Sequence, residues 1–225
     1  MDYFLIRTKR KTLAIHVTRS ATVEIRAPLR MPRLEIEIFI EEKKEWIEQQ
    51  VAARQEILKY RQEFSLHYGS SISLRGKLYP IVAENNNTAK FDGTRFCLPS
   101  ELSAEEIKLV VIQLYKDLAR QVLIEKVRFY SERLQLYPQQ IKVNSARTHW
   151  GSCSGKNCLN FTWRLIMAEE SLIDYVVVHE LAHIKEHNHS PRFWAVVGSV
   201  LPNYQELRKQ LKVFSIQLGK ENWEM

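Results

Sequence analysis

The feature that most constrains the chain is the run VVVHELAHIKEHNHSPRF at residues 176–193, which holds four of the seven histidines. Within it, His179, Glu180 and His183 form the pattern H-E-x-x-H. On a helix, residues four apart lie about 40° apart around the axis and about one turn apart along it. Both imidazoles can therefore converge on one point. Apolar neighbours predict that the helix faces a core, where such ionisable residues are rare unless paired or bound to a metal.

A metal ion that keeps one position open needs a third protein ligand. His187 would lie about 12 Å of rise beyond His179 on a straight helix, which is too far. His189 can reach the ion if the helix ends first. Asn188 is typical of a left-handed helix end, and Ser190-Pro191 is typical of the cap and first residue of a new helix. His187 is then left to face solvent or to support the ligands from outside. The predicted ligands of one divalent ion, most simply Zn²⁺, are His179, His183 and His189.

Glu180 would lie beside the ion without pointing at it. A carboxylate in that position can take a proton from water activated by the metal and deliver it to a leaving amine. The sequence thus predicts a zinc-dependent metallopeptidase that acts on a peptide or protein, with Glu180 as its general base. The composition of the chain alone would produce an accidental H-E-x-x-H with a chance of about 2%. A helix with a polar stripe and hydrogen-bonded histidines is the competing structural interpretation.

Two other functions stay open. The net charge of +7 could attract a nucleoside triphosphate or another phosphoanhydride to a hydrolytic metal site. The sequence contains no Gly-rich phosphate loop to support that hypothesis. The protein could also be a nucleic-acid-associated binding module with an inactive metal site. This ranks last, because no aromatic residues are interleaved with the basic cluster of Arg7, Lys9, Arg10 and Lys11.

The cellular setting follows from two expected absences. The sequence has neither a secretory signal nor an apolar run of the roughly 20 residues that cross a bilayer, so we expect a cytoplasmic protein with no membrane partner. Its three cysteines, Cys97, Cys153 and Cys158, are too few and too widely spaced to suggest a disulfide framework or a structural metal site. We expect reduced thiols.

The first hundred residues predict a β-rich region. Alternating apolar residues between Leu13 and Ile25 indicate a hairpin, and helical spacing from about Arg33 to Phe64 indicates one or two helices. Further short strands are predicted at 71–74, 78–82 and 95–98.

The pattern in the remaining residues predicts a long helix, then a small sheet, then further helices. Ser103 opens a capping box that starts a long helix running toward Leu134. Candidate strands follow at 141–143, 148–152 and 159–166, and two helices at 191–200 and 204–218 succeed the histidine helix. We predict an α+β fold divided near residue 100. A β-rich N-terminal region, residues 1–100, then precedes a metal-dependent hydrolase core, residues 101–225.

Thr148–Ser152 is a candidate cleft wall. Gly151 permits close approach of a second backbone, and an exposed strand edge can bind an extended peptide as an added strand. Trp150, Gly151 and Ser152 are therefore predicted to bind substrate. An interior strand with Trp150 as core filler explains the same residues equally well.

Five segments, taken in order, resemble the YgjP-like family of zinc metallopeptidases. They are RKTLAIHVT from residue 10, VEIRAP from 23, WGSCS from 150, NFTWRLI from 160 and YVVVHELAHIKEHNHSPRFW from 175. The resemblance implies a bacterial protein with a minimal, zincin-like (gluzincin) core and a small antiparallel sheet beside the metal-binding helix. It implies the same ligands, His179, His183 and His189, with Glu180 as base. The chain departs from the family at His149, where an arginine is usual.

Overall fold

A computed structural model of the protein describes residues 2–85 and 87–224. The chain divides into two compact units. The first ends at Phe64 and includes Gly219–Asn222, and the second runs from Ser65 to Leu218 and includes Trp223. The predicted division lay near residue 100, so the second unit begins earlier than the pattern indicated. The assignment of residues 101–225 as a hydrolase core stays a prediction.

The first unit is a three-stranded sheet with two helices. Its elements are β1 (Phe4–Thr8), β2 (Ala14–Val17), β3 (Val23–Pro28), α1 (Arg33–Glu42) and α2 (Lys44–Glu63). Strands β2 and β3 form the predicted antiparallel hairpin, and β1 adds in parallel on the other side of β3. Alternate residues of β3 are buried, because one face of the strand meets the core. The core residues are Val23, Ile25, Ala27, Ile36, Ile40 and Ile47.

The second unit begins with a four-stranded sheet followed by a long helix. Its strands are β4 (Ser71–Leu74), β5 (Lys77–Glu84), β6 (Lys90–Phe91) and β7 (Phe96–Pro99), in the order β4-β5-β7-β6. Helix α3 (Ala104–Leu134) starts at the predicted capping box, in which Ser103 and Glu106 bond reciprocally.

The side chain of Tyr115 shows why this sheet belongs with the later elements. The ring lies 5.7 Å from that of Phe96 on β7 and 5.9 Å from that of Trp163. Its hydroxyl donates to the carbonyl of Ser73 on β4 over 2.5 Å. One buried cluster thus joins β4, β7, α3 and the later residue Trp163. The four-stranded sheet therefore belongs to the second unit.

The third sheet is small and mixed. Strand β10 (Cys158–Thr162) pairs antiparallel with β9 (Gly151–Cys153) and parallel with β8 (Gln140–Asn144). The implied antiparallel sheet is therefore correct for β9 and β10 but not for β8. Beyond Thr162 the predicted strand gives way to a 3-10 helix, Trp163–Met167, whose side chains are buried except for the half-buried Arg164.

Three helices complete the second unit: α4 (Glu170–Ala182), α5 (Pro191–Val200) and α6 (Tyr204–Leu218). Helix α4 is largely buried and packs against α3, α5, α6 and β9. The predicted α+β class is confirmed, and the histidine helix lies beside the small sheet. Among the residues that the structure describes, no helix has the length and apolar content required to span a membrane.

Candidate metal centre

The start of α4 is fixed by a tight turn between β4 and β5. Arg75 and Gly76 both have left-handed backbone conformations, with φ of 53° and 76°. A Cβ at Gly76 would lie 2.6 Å from Cγ and 3.0 Å from Cα of Glu169, the residue before the helix. The Arg75 amide donates to the carbonyl of Ile166 over 2.8 Å. Only glycine lets the turn pack this closely against the helix end.

Ion pairs complete the anchoring of this end. Lys126 of α3 lies 2.6 Å from a carboxylate oxygen of Glu170 and 2.7 Å from one of Asp174, and Arg75 also bonds to Glu170. Burial opposes ionisation of Glu170, but the hydrogen bonds from Arg75 and Lys126 outweigh it and lower the pKa of its carboxyl. These ion pairs therefore hold the N-terminal end of α4 in place.

At its other end, α4 stops at Ala182, one residue before the second histidine of the motif. His183 keeps right-handed helical angles, with φ −66° and ψ −18°, and the next two amides donate back to Leu181 and Ala182. His183 therefore still lies one turn beyond His179. The expected left-handed stop at Asn188 is wrong, because this residue does not have a positive φ.

The new helix after the break is confirmed. The hydroxyl of Ser190 accepts from the amide of Phe193 over 3.4 Å, and Pro191 is the first residue of α5. This cap turns the chain immediately after His189, so the third histidine faces the first two.

The three predicted ligands converge. Nε2 of His179 lies 3.1 Å from Nε2 of His189, and one ring nitrogen from each of these two and from His183 falls within a 4.8 Å span. Ligand atoms about 2.0–2.1 Å from a tetrahedral ion are separated by roughly 3.3 Å. The donor set therefore fits a zinc-type ion. His187 is exposed and lies outside this cluster, but the reason differs from the predicted one, because α4 has already ended at Ala182.

The environment favours the neutral form of the His179 and His183 imidazoles, which is the form that binds metal. Burial, with the neighbouring His183, His189 and Arg208, lowers the pKa of His179 to about 3. Burial also lowers the pKa of His183. The ring of Phe193 lies within 4.9 Å of all three imidazoles, centroid to centroid, and forms an apolar floor beneath them.

The second nitrogens of the ligands differ. Nδ1 of His183 lies 3.1 Å from the carbonyl of Glu186, which fixes the ring and leaves Nε2 for an ion. Nδ1 of His179 is buried and has no hydrogen-bond partner within residues 2–85 and 87–224. An unpaired buried nitrogen is costly, and such atoms occur at functional sites.

Glu180 is the buried carboxyl beside this cluster. Its side chain belongs to a residue only 6% exposed, and burial raises its pKa to about 7. A proton acceptor with a pKa near the working pH is suited to general base catalysis. Gly151 on β9 makes room for it: a Cβ there would lie 2.6 Å from Cγ and 2.8 Å from Oε1 of Glu180. The glycine of the W-G-S segment thus accommodates the predicted base.

The other residues of the predicted cleft wall lie on or beside the edge strand β9. Trp150 is half-buried, its indole donates to the hydroxyl of Ser215 over 3.0 Å, and its ring lies 5.3 Å from that of Phe214. Ser152 pairs with Asn160 of β10. Since the sheet order is β8-β10-β9, the far side of β9 is an edge. Substrate binding by Trp150, Gly151 and Ser152 stays a prediction.

His149 and the three cysteines are the other side chains considered in the sequence. His149 is exposed, and its Nδ1 lies 3.0 Å from the hydroxyl of Thr148. The cysteines Cys97, Cys153 and Cys158 are free, as expected. Burial raises the pKa of the Cys153 thiol, with a further contribution from the charge of Glu180. Cys153 therefore carries a neutral thiol.

Two residues beside the histidines were given no role from the sequence. The ring of Trp194 lies 5.6 Å from that of His189 and 5.9 Å from that of His179. The guanidinium carbon of Arg208 lies over the Trp194 ring, 5.5 Å from its centroid. Trp194 is the last residue of the family-like segment that begins at residue 175. Arg208 belongs to α6, and no short-range pattern connects it to the motif.

A model of the YgjP-like family, described as a metallopeptidase domain, matches residues 11–214. The chain belongs to the YgjP-like family. The match covers most of the sequence and spans both compact units. The predicted family and the predicted class, a hydrolase of the metallopeptidase type, are thereby confirmed. No curated protein matches the chain.

Two solved structures are similar to part of this YgjP-like chain. One is the crystal structure of the metallopeptidase zymogen abylysin from Pyrococcus abyssi, with 21% identity, a TM-score of 0.38, and coverage of 40% of this chain and 92% of its own. The other is the metallopeptidase zymogen jannalysin from Methanocaldococcus jannaschii, with 21% identity, a TM-score of 0.36 and the same coverage. The family assignment rests on the family match alone.

Proposed function

We propose that this YgjP-like protein is a zinc-dependent metallopeptidase in which His179, His183 and His189 bind the ion and Glu180 acts as the general base. The observation that carries the proposal is the convergence of three imidazole nitrogens within 4.8 Å beside a buried carboxyl. Three histidine ligands leave one position of a tetrahedral ion open for water or substrate, which is the pattern of catalytic rather than structural zinc.

A divalent ion bound there supplies Lewis-acid polarisation of a carbonyl oxygen and lowers the pKa of water toward about 7. The residues around it do the remaining work. Glu180 accepts the proton of the attacking water and returns it to the amine of the departing peptide half. Its raised pKa, about 7, suits both transfers, since the carboxyl can hold or release a proton near neutral pH.

The edge of β9 supports a peptide as the substrate. An extended chain can pair with an exposed strand edge through main-chain hydrogen bonds that do not depend on its sequence. β9 carries Gly151 against Glu180 and packs against α4, so a peptide bound along it would pass beside the proposed base. Ser152 on the same strand and Trp150 immediately before it would flank that peptide.

The experiment that tests the proposal uses zinc-loaded protein with an unstructured protein substrate and with a panel of nucleoside triphosphates. We expect new peptide fragments in the mass spectrum, their loss after removal of metal with a chelator, and their return when zinc is restored. Release of phosphate or pyrophosphate without any peptide cleavage would contradict the proposal and favour a phosphoanhydride hydrolase.

A further inference from the structure

We propose that Arg208 of α6 recognises a carboxylate on the peptide substrate, either an acidic side chain or the free C-terminus. The inference rests on the proposed function and extends it to the class of peptide that the site prefers. It concerns binding of substrate beside the metal centre and assigns no proton transfer to Arg208.

The position of Arg208 is defined by an aromatic platform. Its guanidinium carbon lies 5.5 Å from the centroid of Trp194, a geometry in which the cation is attracted to the ring. Trp194 is itself stacked on Tyr204, with centroids 5.0 Å apart and planes 12° apart. The same Trp194 ring lies within 6 Å of His179 and His189. A single side chain therefore separates Arg208 from two of the proposed ligands.

The positive charge of Arg208 lies near the site, because the Trp194 ring that it contacts is within 6 Å of both His179 and His189. A substrate group at the metal centre would experience the same positive charge. Arg208 itself is exposed, so water screens this attraction in the free protein, and the attraction strengthens where a bound peptide excludes solvent.

The charge of Arg208 is also not neutralised by a carboxylate of any described residue. Arg208 forms neither an ion pair nor a hydrogen bond with any other residue in the described part of the chain, although Glu206 lies on the same helix and pairs with Lys209 over 3.9 Å. Several other arginines of the second unit are paired with carboxylates, such as Arg75 with Glu170 and Arg95 with Asp92.

A planar guanidinium with free donors binds a carboxylate with two parallel hydrogen bonds, and stacking on an aromatic ring holds it ready to do so. An isolated, solvated arginine needs no such role. What distinguishes Arg208 is the combination of the aromatic platform, the proximity to the histidines and the absence of a carboxylate partner within the residues described. The chemistry that fits this combination is a carboxylate carried by the substrate.

The test measures binding of peptides by isothermal titration calorimetry to the zinc-loaded Glu180→Gln protein, which should bind substrate without cleaving it. The probes are one neutral peptide with an amidated C-terminus, the same peptide with a free C-terminus, and amidated versions in which a single Glu replaces Gln at successive positions. We expect the best carboxylate-bearing peptide to bind about tenfold more tightly than the neutral one, as one charge-assisted contact provides.

Three further variants in the same background locate the effect. Arg208→Gln should reduce the preference to about onefold, and Arg208→Lys should retain part of it, because the charge remains but the fork geometry is lost. Lys209→Gln removes the same charge from the next position of α6 and should keep the full preference. The circular dichroism of each variant checks that the helix is intact.

The two sources of the carboxylate are separated by the peptides. An advantage of the free acid over the amide identifies the C-terminus, and an advantage of one Glu position identifies an acidic side chain. Equal affinity of all peptides for the protein with Arg208, or an undiminished preference in Arg208→Gln, would overturn this inference alone. If no peptide binds at all, the peptide-substrate assignment falls with it.

Discussion

The two ends of α4 use ionisable residues in opposite ways. At the N-terminal end, Glu170 and Asp174 are paired with Lys126, and Glu170 also bonds to Arg75. At the C-terminal end, the buried Nδ1 of His179 lacks a hydrogen-bond partner among the described residues, and burial dominates the behaviour of Glu180. Ion pairs stabilise the N-terminal end of α4. At the C-terminal end, burial of polar groups without hydrogen-bond partners among the described residues costs stability.

The pKa values of the two glutamates follow this division. Hydrogen bonds from Arg75 and Lys126 overcome burial and lower the pKa of Glu170, but burial without such partners raises the pKa of Glu180 to about 7. The same type of side chain is held in its ionised form at one end and can take up or release a proton near neutral pH at the other. Perturbed groups of the second kind gather at functional sites, and the proposed metal centre lies there.

The largest effect is expected when the proposed general base is removed. Glu180→Gln keeps the size of the side chain but cannot accept a proton, so peptide cleavage should fall by about 10²–10⁴-fold, the range that general base catalysis contributes. Zinc content should be unchanged, because Glu180 is not a proposed ligand. Cleavage assayed by mass spectrometry at saturating zinc measures the first quantity and elemental analysis the second. Equal turnover in variant and wild type would reject Glu180 as the base.

The next effect moves the carboxyl without removing it. In Gly151→Ala, the new Cβ would meet Cγ, Cδ and Oε1 of Glu180 at less than 3 Å, so the base must shift. Misplacement by about 1 Å can reduce a rate about a hundredfold. We expect a loss of that order in kcat with metal still bound.

Gly155→Ala is the matched control, because it lies in the same β9–β10 hairpin and its Cβ would meet open space. This variant should retain wild-type turnover. If Gly151→Ala were as active as Gly155→Ala, the close packing of Gly151 on Glu180 would have no role in catalysis.

The smallest effect is expected at the N-terminal end of α4, where Glu170 forms ion pairs. Glu170→Gln should reduce the free energy of unfolding at neutral pH by only about 1 kcal/mol, since its carboxylate is partly exposed and solvent screens its ion pairs. Because the folded state lowers the pKa of Glu170, the stabilisation is present above the ordinary pKa of a glutamate and is lost as the pH falls through the lowered value. Urea denaturation at a series of pH values measures the difference.

Glu105→Gln controls for the loss of an acidic residue in the first turn of a helix, here α3. It should show a smaller difference at neutral pH, because Glu105 forms no comparable ion pair with any residue that the structure describes. A stability difference between wild type and Glu170→Gln that persists at acid pH would contradict the ion-pair explanation of this end of α4.

The sequence predicted what local signals encode. The spacing of His179 and His183 follows from helical geometry, and Ser190-Pro191 predicts the break that turns His189 back toward them. The predicted bounds of α5 and α6 also agree with the structure. α5 begins at Pro191 and α6 at Tyr204, each after a break in the chain, and both helices carry a clear apolar periodicity.

Contacts between distant segments were not predictable from such signals. Nothing near Gly151 indicates that its missing Cβ is replaced by Glu180, and nothing near Arg208 indicates Trp194 as its platform. The parallel pairing of β1 with β3 and the early end of the first unit at Phe64 likewise depend on tertiary packing. The predicted strand at residues 159–166 overlaps the 3-10 helix Trp163–Met167, because a short apolar run is compatible with either a strand or a buried helical turn.

The most direct test of the account is the zinc content of purified protein, measured by elemental analysis for wild type and for single alanine variants of the four clustered histidines. We predict one equivalent of zinc in wild type and in His187→Ala, whose side chain lies outside the cluster, and a large loss of zinc in His179→Ala, His183→Ala and His189→Ala. One equivalent retained in all three of those variants, or lost in His187→Ala instead, would contradict the proposed metal centre.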